Sequence, residues 1–540
     1  MIRNALDTGN GRSHSPTVTT LRVASPHQNF SKPDSERLFG RIFIGWILAL
    51  LAFDLLTLRW FPVPWIDEVL YADPAASLVL TGHWTSTLWF GRGDFSHWGG
   101  NVPAYGFLLT PWLWLWGAGE CAVRSLNYVL VAFTMVVAWF SVKRLNLIPC
   151  PKIRFWALLA LSLCYPVSYC VRCGRPDVLG MLIFALGSLF WSNHRHRVAL
   201  AGLFGCAIII PFAGLQYAFY MPVLLGCLFW AGGKPALPRL CAIIGGYLLG
   251  SVLLCSYFQF IVGWDGLQAS MAAVKNMRPH DFETILMGQI LPYYATRPHF
   301  ILLIAAGLLL GISWPHLAKT SRNTFGQALV LLLLSGILIG CGAHFMAPYH
   351  WLAVAPAIIL FASVVAKSWQ NLGSKLKLSL ILITVGLATT GRITFIAMGA
   401  VLGGDSYTSN IEKWATALVP PGATVYADPQ IYYALKPRAA RIYIYTIVPA
   451  LTPEEKKAVS IAFVMTNPGT CNIGWLTNNF AGNWVHLGDS PPRDGKKISP
   501  ATTHFLGIFH AGYYVGYPLA AYCRDQAKAA TNSIPATSQK

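Results

Sequence analysis

The chain has 540 residues, of which 55% are hydrophobic and only 11% charged, where a soluble domain carries about 25% charge. With a mean hydropathy of +0.50 and apolar runs along most of its length, it is a polytopic α-helical membrane protein and not a large soluble core. The formal charge of +19 comes mostly from loop Lys and Arg, with no basic repeat or nucleic-acid module; this excludes nucleic acid and points to topology, contact with anionic membrane lipids and an anionic substrate headgroup.

Residues 1–40 read as a polar cytoplasmic tail, since the first 35 lack the apolar core and cleavage site of a signal peptide. The first span, near 42–60, then serves as an uncleaved anchor. Just beyond it stand two adjacent acids, Asp67 and Glu68, in Trp65-Ile66-Asp67-Glu68-Val69-Leu70-Tyr71. Two carboxylates at the mouth of a span are costly to desolvate and need a reason to be there. One reason is a catalytic base with a raised pKa at the membrane surface; the other is the preference of acids for a helix N-terminus. The stretch 65–80 is predicted to be helical, with Pro64 near its start and Thr81-Gly82 at its end. Tyr71 then lies one turn from Asp67 on the same face, and Glu68 is rotated away by about 100°. A second aromatic stretch, 103–118, breaks the span parity and is predicted as another helix in the outer interface.

Further spans are predicted near 122–142, 155–171, 178–193, 198–213, 215–231, 240–262, 300–314, 326–345, 350–366 and 378–398, about eleven in all. Lys143, Arg144, Lys152, Arg154, Arg195, Arg197, Lys234, Arg239, Lys319, Arg322, Lys367, Lys375 and Lys377 fall on one side. The positive-inside rule makes that side cytoplasmic, in the plasma (inner) membrane, and places the 67–68 loop, the 263–299 loop and everything after about 400 outside.

On the outer side, Arg172-Cys173-Gly174-Arg175-Pro176-Asp177 joins two spans. Pro176 suits a first helical turn and Asp177 its positive end; alternatively Asp177 is a further acid of an outer cavity, held by Arg175. The loop 263–299 supplies Lys275, Arg278, His280, Glu283 and Arg297, cations suited to a phosphate or to a solvated face. His280 and Glu283 have an i, i+3 spacing that metal sites use, but two ligands are too few for one, so a divalent cation stays open and no cofactor is assigned. His344, Tyr349 and His350 open an apolar helix that contains Pro356 and suit either a lipid phosphate or an aromatic belt. Cys170 and Cys173 read as packing residues.

After Gly403-Gly404 the pattern changes to short β-like runs at 424–427, 441–445 and 460–464, with helical stretches at 409–418 and 453–458. This is a small outward α/β domain over 400–540, following a transmembrane domain over 41–399. Cys471 and Cys523 both lie in it, where an oxidising exterior permits a disulfide.

Together these clusters resemble the GT-C superfamily of integral-membrane glycosyltransferases, in the protein mannosyltransferase and aminoarabinose transferase branch. The resemblance rests on Asp67-Glu68 with Tyr71, on Ala122-Val123-Arg124-Ser125-Leu126-Asn127, on Arg175-Pro176-Asp177-Val178-Leu179-Gly180 and on the Tyr349-to-Pro356 stretch, in that order across roughly 40–400. Where relatives carry a His-Pro-Pro-Leu-like stretch, this chain has Asn101-Val102-Pro103-Ala104-Tyr105. The resemblance implies a GT-C-like fold and transfer of a sugar, with inversion, from a polyprenyl-phosphate donor to a hydroxyl of a lipid, glycan or protein acceptor outside the membrane. It implies catalytic carboxylates among Asp67, Glu68 and Asp177, and substrate binding by Tyr71, Arg175, Arg278, Arg297, Tyr349 and His350. Three rival functions are a transporter, for which Asp54 inside the first span is the main marker, a lipid-linked glycan polymerase or ligase, and an envelope scaffold whose C-terminal domain binds partners.

Overall fold

The computed structural model of the protein describes residues 33–88, 103–276, 282–343, 346–401, 406–466, 473–491 and 516–524. Helix α1 (Pro33–Leu56) is followed by the loop helices α2 (Ile66–Thr81) and α3 (Pro103–Trp116). Then come α4 (Glu120–Arg144), α5 (Pro151–Leu163), α6 (Tyr165–Arg172), α7 (Asp177–Trp191), α8 (His196–Ala213), α9 (Tyr217–Gly232) and α10 (Leu237–Asn276). The helical part closes with α11 (Phe282–Ile285), a π-helical turn, α12 (Leu291–Thr296), α13 (Pro298–Ile312), α14 (Lys319–Ala343), α15 (Trp351–Ser368), α16 (Ser374–Ala388) and α17 (Thr394–Val401). Among the described residues seven helices are long and apolar enough to cross a membrane, or up to nine if two bent pairs each count as one span. The sequence predicts about eleven; the difference is α7 and α9, whose 15 and 16 residues fall short of the ~20 needed to cross the hydrocarbon core. The α5–α6 pair bends by 47°, because Pro166 in the first turn of α6 starts the helix afresh.

Charge separates the two ends of the bundle. Lys143 and Arg154 gather around Glu36 of α1, at 3.1 and 2.7 Å. The opposite end holds α2, α3, the turn before α7 and the start of α15. Asp54, the acid in the apolar run of α1, is paired with Arg392, whose Nε lies 3.1 Å from Oδ1, and faces Arg172 at 3.8 Å. Arg172 also donates to the Thr57 hydroxyl at 2.9 Å. This acid therefore joins three helices, the arrangement by which a charge is tolerated inside a bundle.

The C-terminal domain is α/β. After α18 (Ser406–Leu418), short helices α19 (Tyr432–Leu435), α20 (Pro453–Ala458) and α21 (Ile473–Asn479) alternate with strands β1 (Thr424–Tyr426), β2 (Arg441–Tyr443), β3 (Ile461–Met465), β4 (Trp484–Asp489) and β5 (Leu519–Arg524). The five-stranded sheet has the order β2-β1-β3-β5-β4. β1 is parallel to both β2 and β3, while β5 is antiparallel to β3 and β4. Helix α20 starts where the sequence places it, on a capping box in which Thr452 and Glu455 satisfy each other's backbone N–H. Cys523 lies buried in β5, while Cys471 falls outside the described residues.

The domain is docked on α2 through Asp73, which is fully buried. Asp73 accepts from Lys436 Nζ at 2.5 Å, from the Tyr432 hydroxyl and from the Thr87 backbone N–H at 3.2 Å. Lys436 reaches on to Ser77 at 2.9 Å. Every residue of α2 from Glu68 to Ser77 is buried, where a helix floating in the membrane interface would expose one face. Substituting Lys436→Met leaves Asp73 buried without its cation, a costly state. The expected outcome is faster amide exchange over 66–81 and 429–436, read by mass spectrometry, with the spans unaffected.

Candidate active site at the end of the helical bundle

Trp65 precedes α2 in an extended conformation, and Gly82 ends it in the left-handed region at φ 77° with its N–H on Leu78 O, as glycine after a helix commonly does. Asp67 and Glu68 share the first turn and point apart. The Asp67 side chain retains 22% exposure and is ion-paired with Arg175. Glu68 has 0% exposure and is gripped by Arg124 through two parallel bonds, Nε to Oε1 at 2.9 Å and Nη2 to Oε2 at 2.8 Å. Arg124 Nη1 also meets Glu120 at 2.6 Å and Leu58 O at 3.2 Å. Adjacent in sequence, the two acids thus sit in different surroundings: one partly exposed beside Arg175, one inside a closed ion-pair network.

Arg175 is held on several sides. Its Nε donates to Asp177 Oδ2 at 3.0 Å, Asn127 Nδ2 donates to its carbonyl at 3.0 Å, and Tyr105 donates to Asn127 Oδ1 at 3.0 Å. The guanidinium stands 5.4 Å from the Tyr71 ring and 5.9 Å from the Trp65 ring, and it hydrogen-bonds Tyr349. Asp177 has 1% exposure and faces Gln216 Nε2 at 3.4 Å. The structure therefore brings Asp67, Tyr71, Arg175, Asp177 and Tyr349 together. Burial lifts the Asp67 carboxyl above its ordinary range, and Arg175 pulls against that shift.

The turn that delivers Arg175 depends on Gly174. Its φ is +58°, and a Cβ there would lie 2.5 Å from Glu68 Cγ and 2.8 Å from Cδ. Gly174→Ala combines a left-handed conformation costing about 1–3 kcal/mol with a clash against a side chain locked by Arg124. A lowered thermal midpoint, with activity lost in parallel, is the expected outcome in a purified-protein melt. Cys170 and Cys173 flank this turn as packing residues: Cys170 Sγ meets Pro348 O at 3.3 Å, and the Cys173 carbonyl accepts from Trp65 Nε1 at 3.2 Å.

A second polar cluster lies where α13 meets α15. His299 Nε2 and His350 Nδ1 are 3.0 Å apart, and both rings are fully buried. Tyr165 stacks on His299 with ring centroids 5.4 Å apart, and Arg297 stands over Tyr293 at 5.4 Å. His299 Nδ1 is buried without a hydrogen-bond partner among the described residues. Sequence reasoning singled out Arg297 and His350 but missed His299; its signal was a ring nitrogen opening an otherwise apolar helix. Arg124 and Asn127 were seen only as part of a resembling segment, and their roles emerge here. Arg278 and His280 fall outside the described residues, and Glu283 lies in α11. Among the described residues no group of three or more His, Cys, Asp or Glu is placed to hold a metal ion.

No protein-family model matches the chain, and no curated protein matches it. Its likeness is to solved structures of membrane glycosyltransferases. ArnT from Cupriavidus metallidurans bound to undecaprenyl phosphate superposes with a TM-score of 0.51 at 13% identity, over 89% of this chain and 97% of that one. The Archaeoglobus fulgidus oligosaccharyltransferase in its apo form gives 0.47 at 10% identity, over 80% and 70% of the two chains. The mycobacterial arabinofuranosyltransferase AftD gives 0.47 at 13%, over 89% of this chain and 40% of that one. At such identities the likeness is one of fold: the chain is a multi-pass membrane protein with a GT-C fold, as its ArnT match and its apolar helices show.

Proposed function

We propose that the protein is a glycosyltransferase that moves a sugar from a polyprenyl-phosphate-linked donor to an acceptor hydroxyl at the outer face of the plasma membrane, with inversion. The observation that carries this reading is the placement of Asp67, the most exposed of the three candidate acids, at the end of a GT-C bundle in the grip of Arg175. Asp67 is the general base. As the acceptor oxygen forms a bond to the anomeric carbon, Asp67 takes the hydroxyl proton, and the carbon–oxygen bond to phosphate breaks with its electrons going to the leaving polyprenyl phosphate. Arg175 and Asp177 are positioning residues, because the Arg175 charge is already committed to two carboxylates. Glu68, sealed by Arg124, holds the first turn of α2 in place.

The donor phosphate belongs with the α13–α15 cluster. Arg297 supplies a cation, His299 a buried ring nitrogen that has no partner among the described residues, His350 pairs with His299, and the neighbouring Tyr349 bonds Arg175. An unsatisfied buried polar atom is costly unless a ligand completes it. The undecaprenyl phosphate bound in ArnT supports a donor of this class. Arg297→Ala is expected to lower both apparent donor affinity and turnover while leaving acceptor affinity alone, read by titrating the two substrates separately. A defect confined to the acceptor would move this cluster to the other substrate.

The direct test incubates the purified protein in lipid nanodiscs with radiolabelled polyprenyl-phosphate pentoses and hexoses, and follows release of polyprenyl phosphate. Runs with EDTA and with added divalent cation decide metal dependence. Absence of release from every donor, in the presence of cell-envelope extracts as acceptors, overturns the proposal. Reporter fusions at about residues 36, 236 and 420 test the orientation; a cytoplasmic signal from the last would place the C-terminal domain on the wrong side.

A further inference from the structure

The sheet of the C-terminal domain has a topological switch point. From β1 the chain leaves toward β2 on one side, and from β3 it leaves toward β5 and β4 on the other, in the order β2-β1-β3-β5-β4. β1 and β3 are parallel neighbours. In open α/β sheets the crevice outside the carboxyl ends of two such strands is where ligands bind, because the diverging connections leave it unfilled. Here it is a real cavity of about 710 Å³, lined by Tyr426 and Asp428 from the end of β1, by the end of β3, and by Trp475 and Tyr517. That volume lies within the range of small-ligand sites. Its far wall is Trp65, two residues before Asp67.

We propose that this cavity is the acceptor subsite and that it receives a carbohydrate. The inference deepens the glycosyltransferase reading and rests on it for the word acceptor, though not for the binding itself. The lining has the two features a sugar needs. Trp65, Trp475 and Tyr517 offer flat, rigid apolar faces with polar rims, suited to the C–H face of a pyranose or furanose ring, and the buried Tyr426 backs Trp475 with ring centroids 5.3 Å apart. Asp428 offers a carboxylate already oriented at both oxygens: Oδ1 accepts from the Gln430 backbone N–H at 3.0 Å, and Oδ2 accepts from the Tyr517 hydroxyl. An ionised carboxylate has about four acceptor positions, so two remain for sugar hydroxyls. Burial pushes the Asp428 carboxyl up to about 6, which leaves it largely ionised at neutral pH. Asn479 donates to the Trp475 carbonyl at 2.9 Å and fixes the base of that aromatic wall.

The same features disfavour the other acceptor classes. A peptide bound in extended form draws its affinity from an open strand edge, but β1 and β3 are both interior strands of the sheet. An acyl chain finds no use for a carboxylate, since burying an ionised group against hydrocarbon is costly. Trp65 links the subsite to the chemistry: its ring lines the cavity, its indole N–H is anchored on Cys173, and its ring lies 5.9 Å from the guanidinium that holds Asp67. A sugar stacked in the cavity therefore presents its hydroxyls to the segment that carries the base.

The test measures binding without donor, so it stands apart from the transfer assay. The full-length protein in nanodiscs is screened by saturation-transfer NMR against gluco-, manno-, galacto- and arabino-oligosaccharides of two to six units, with hydroxyl-bearing hexapeptides alongside. Binding of at least one oligosaccharide series is expected, weakened tenfold or more by Asp428→Asn and by Trp475→Ala. Trp475→Phe, which keeps an aromatic face, is expected to restore most of the affinity. Thermal midpoints of the variants separate lost binding from lost folding. The proposal is overturned if no oligosaccharide binds, if the peptides bind in their place, or if Asp428→Asn binds sugar as the parent does. Sugar binding together with a failed donor assay would instead sink the glycosyltransferase reading and leave a carbohydrate-binding site.

Discussion

Asp67→Asn is expected to lower sugar transfer by ~10²-fold or more, the loss that follows removal of a general base. That factor corresponds to about 2.7 kcal/mol of transition-state stabilisation. The amide has the carboxylate's shape but cannot take the acceptor proton. Folding should survive, because the Asp67 side chain retains 22% exposure and Arg175 keeps its 3.0 Å bond to Asp177. Donor binding, measured separately, should also persist. The pH profile carries a second signature. The base works only when ionised, so activity is present above its folded pKa and is lost as the pH falls through it. Burial lifts that pKa above the ordinary carboxylate range while Arg175 pulls it back. The acid limb of kcat/KM should therefore lie above the usual carboxylate values, and Arg175→Gln should shift it further upward. Near-normal turnover in Asp67→Asn would place the base elsewhere.

Arg124→Leu is expected to have the largest effect on folding. It removes the cation shared by Glu68 and Glu120, whose side chains are 0% and 5% exposed. Breaking a buried pair from one side costs about 3–5 kcal/mol, because the remaining charge is stranded. Here Glu68 is stranded and Glu120 keeps, among the described residues, only Arg59, at 3.8 Å, and the first turn of α2 loses the clamp on Glu68. A large drop in thermal midpoint in detergent is expected, with the yield of folded protein falling in step. A triple variant that also replaces Glu68 and Glu120 with Leu should recover part of the stability, since apolar replacement of a whole buried network is often tolerated. An unchanged midpoint for the single variant would mean that the network contributes nothing to stability.

The two variants together separate the adjacent acids. The sequence placed Asp67 and Glu68 on one helical turn and held that they need not share a role, because the 100° rotation between neighbours aims them differently. It could not say which stays partly exposed and which is sealed, since the arginine that holds each comes from elsewhere: Arg124 lies on another helix and Arg175 follows a turn more than a hundred residues downstream.

The sequence by itself determined where the apolar helices lie, though not how many of them are long enough to span, because hydropathy is a local property that the bilayer reads directly. The basic loops, the two loop helices, and the shift to strands after residue 400 were legible for the same reason. The strands β4 and β5 were not. Leu519-Ala520-Ala521-Tyr522-Cys523-Arg524 has little β-branched content and becomes a strand only because β3 and β4 flank it. The tertiary structure alone decided which polar groups meet. It paired Asp54 with Arg392 from a distant helix, set His299 against His350, and docked the sheet on α2 through Asp73. It also opened the cavity between β1 and β3 beside Trp65. These are contacts between segments far apart in the chain, whose partners are selected by how the helices and the sheet pack and not by any neighbour in sequence.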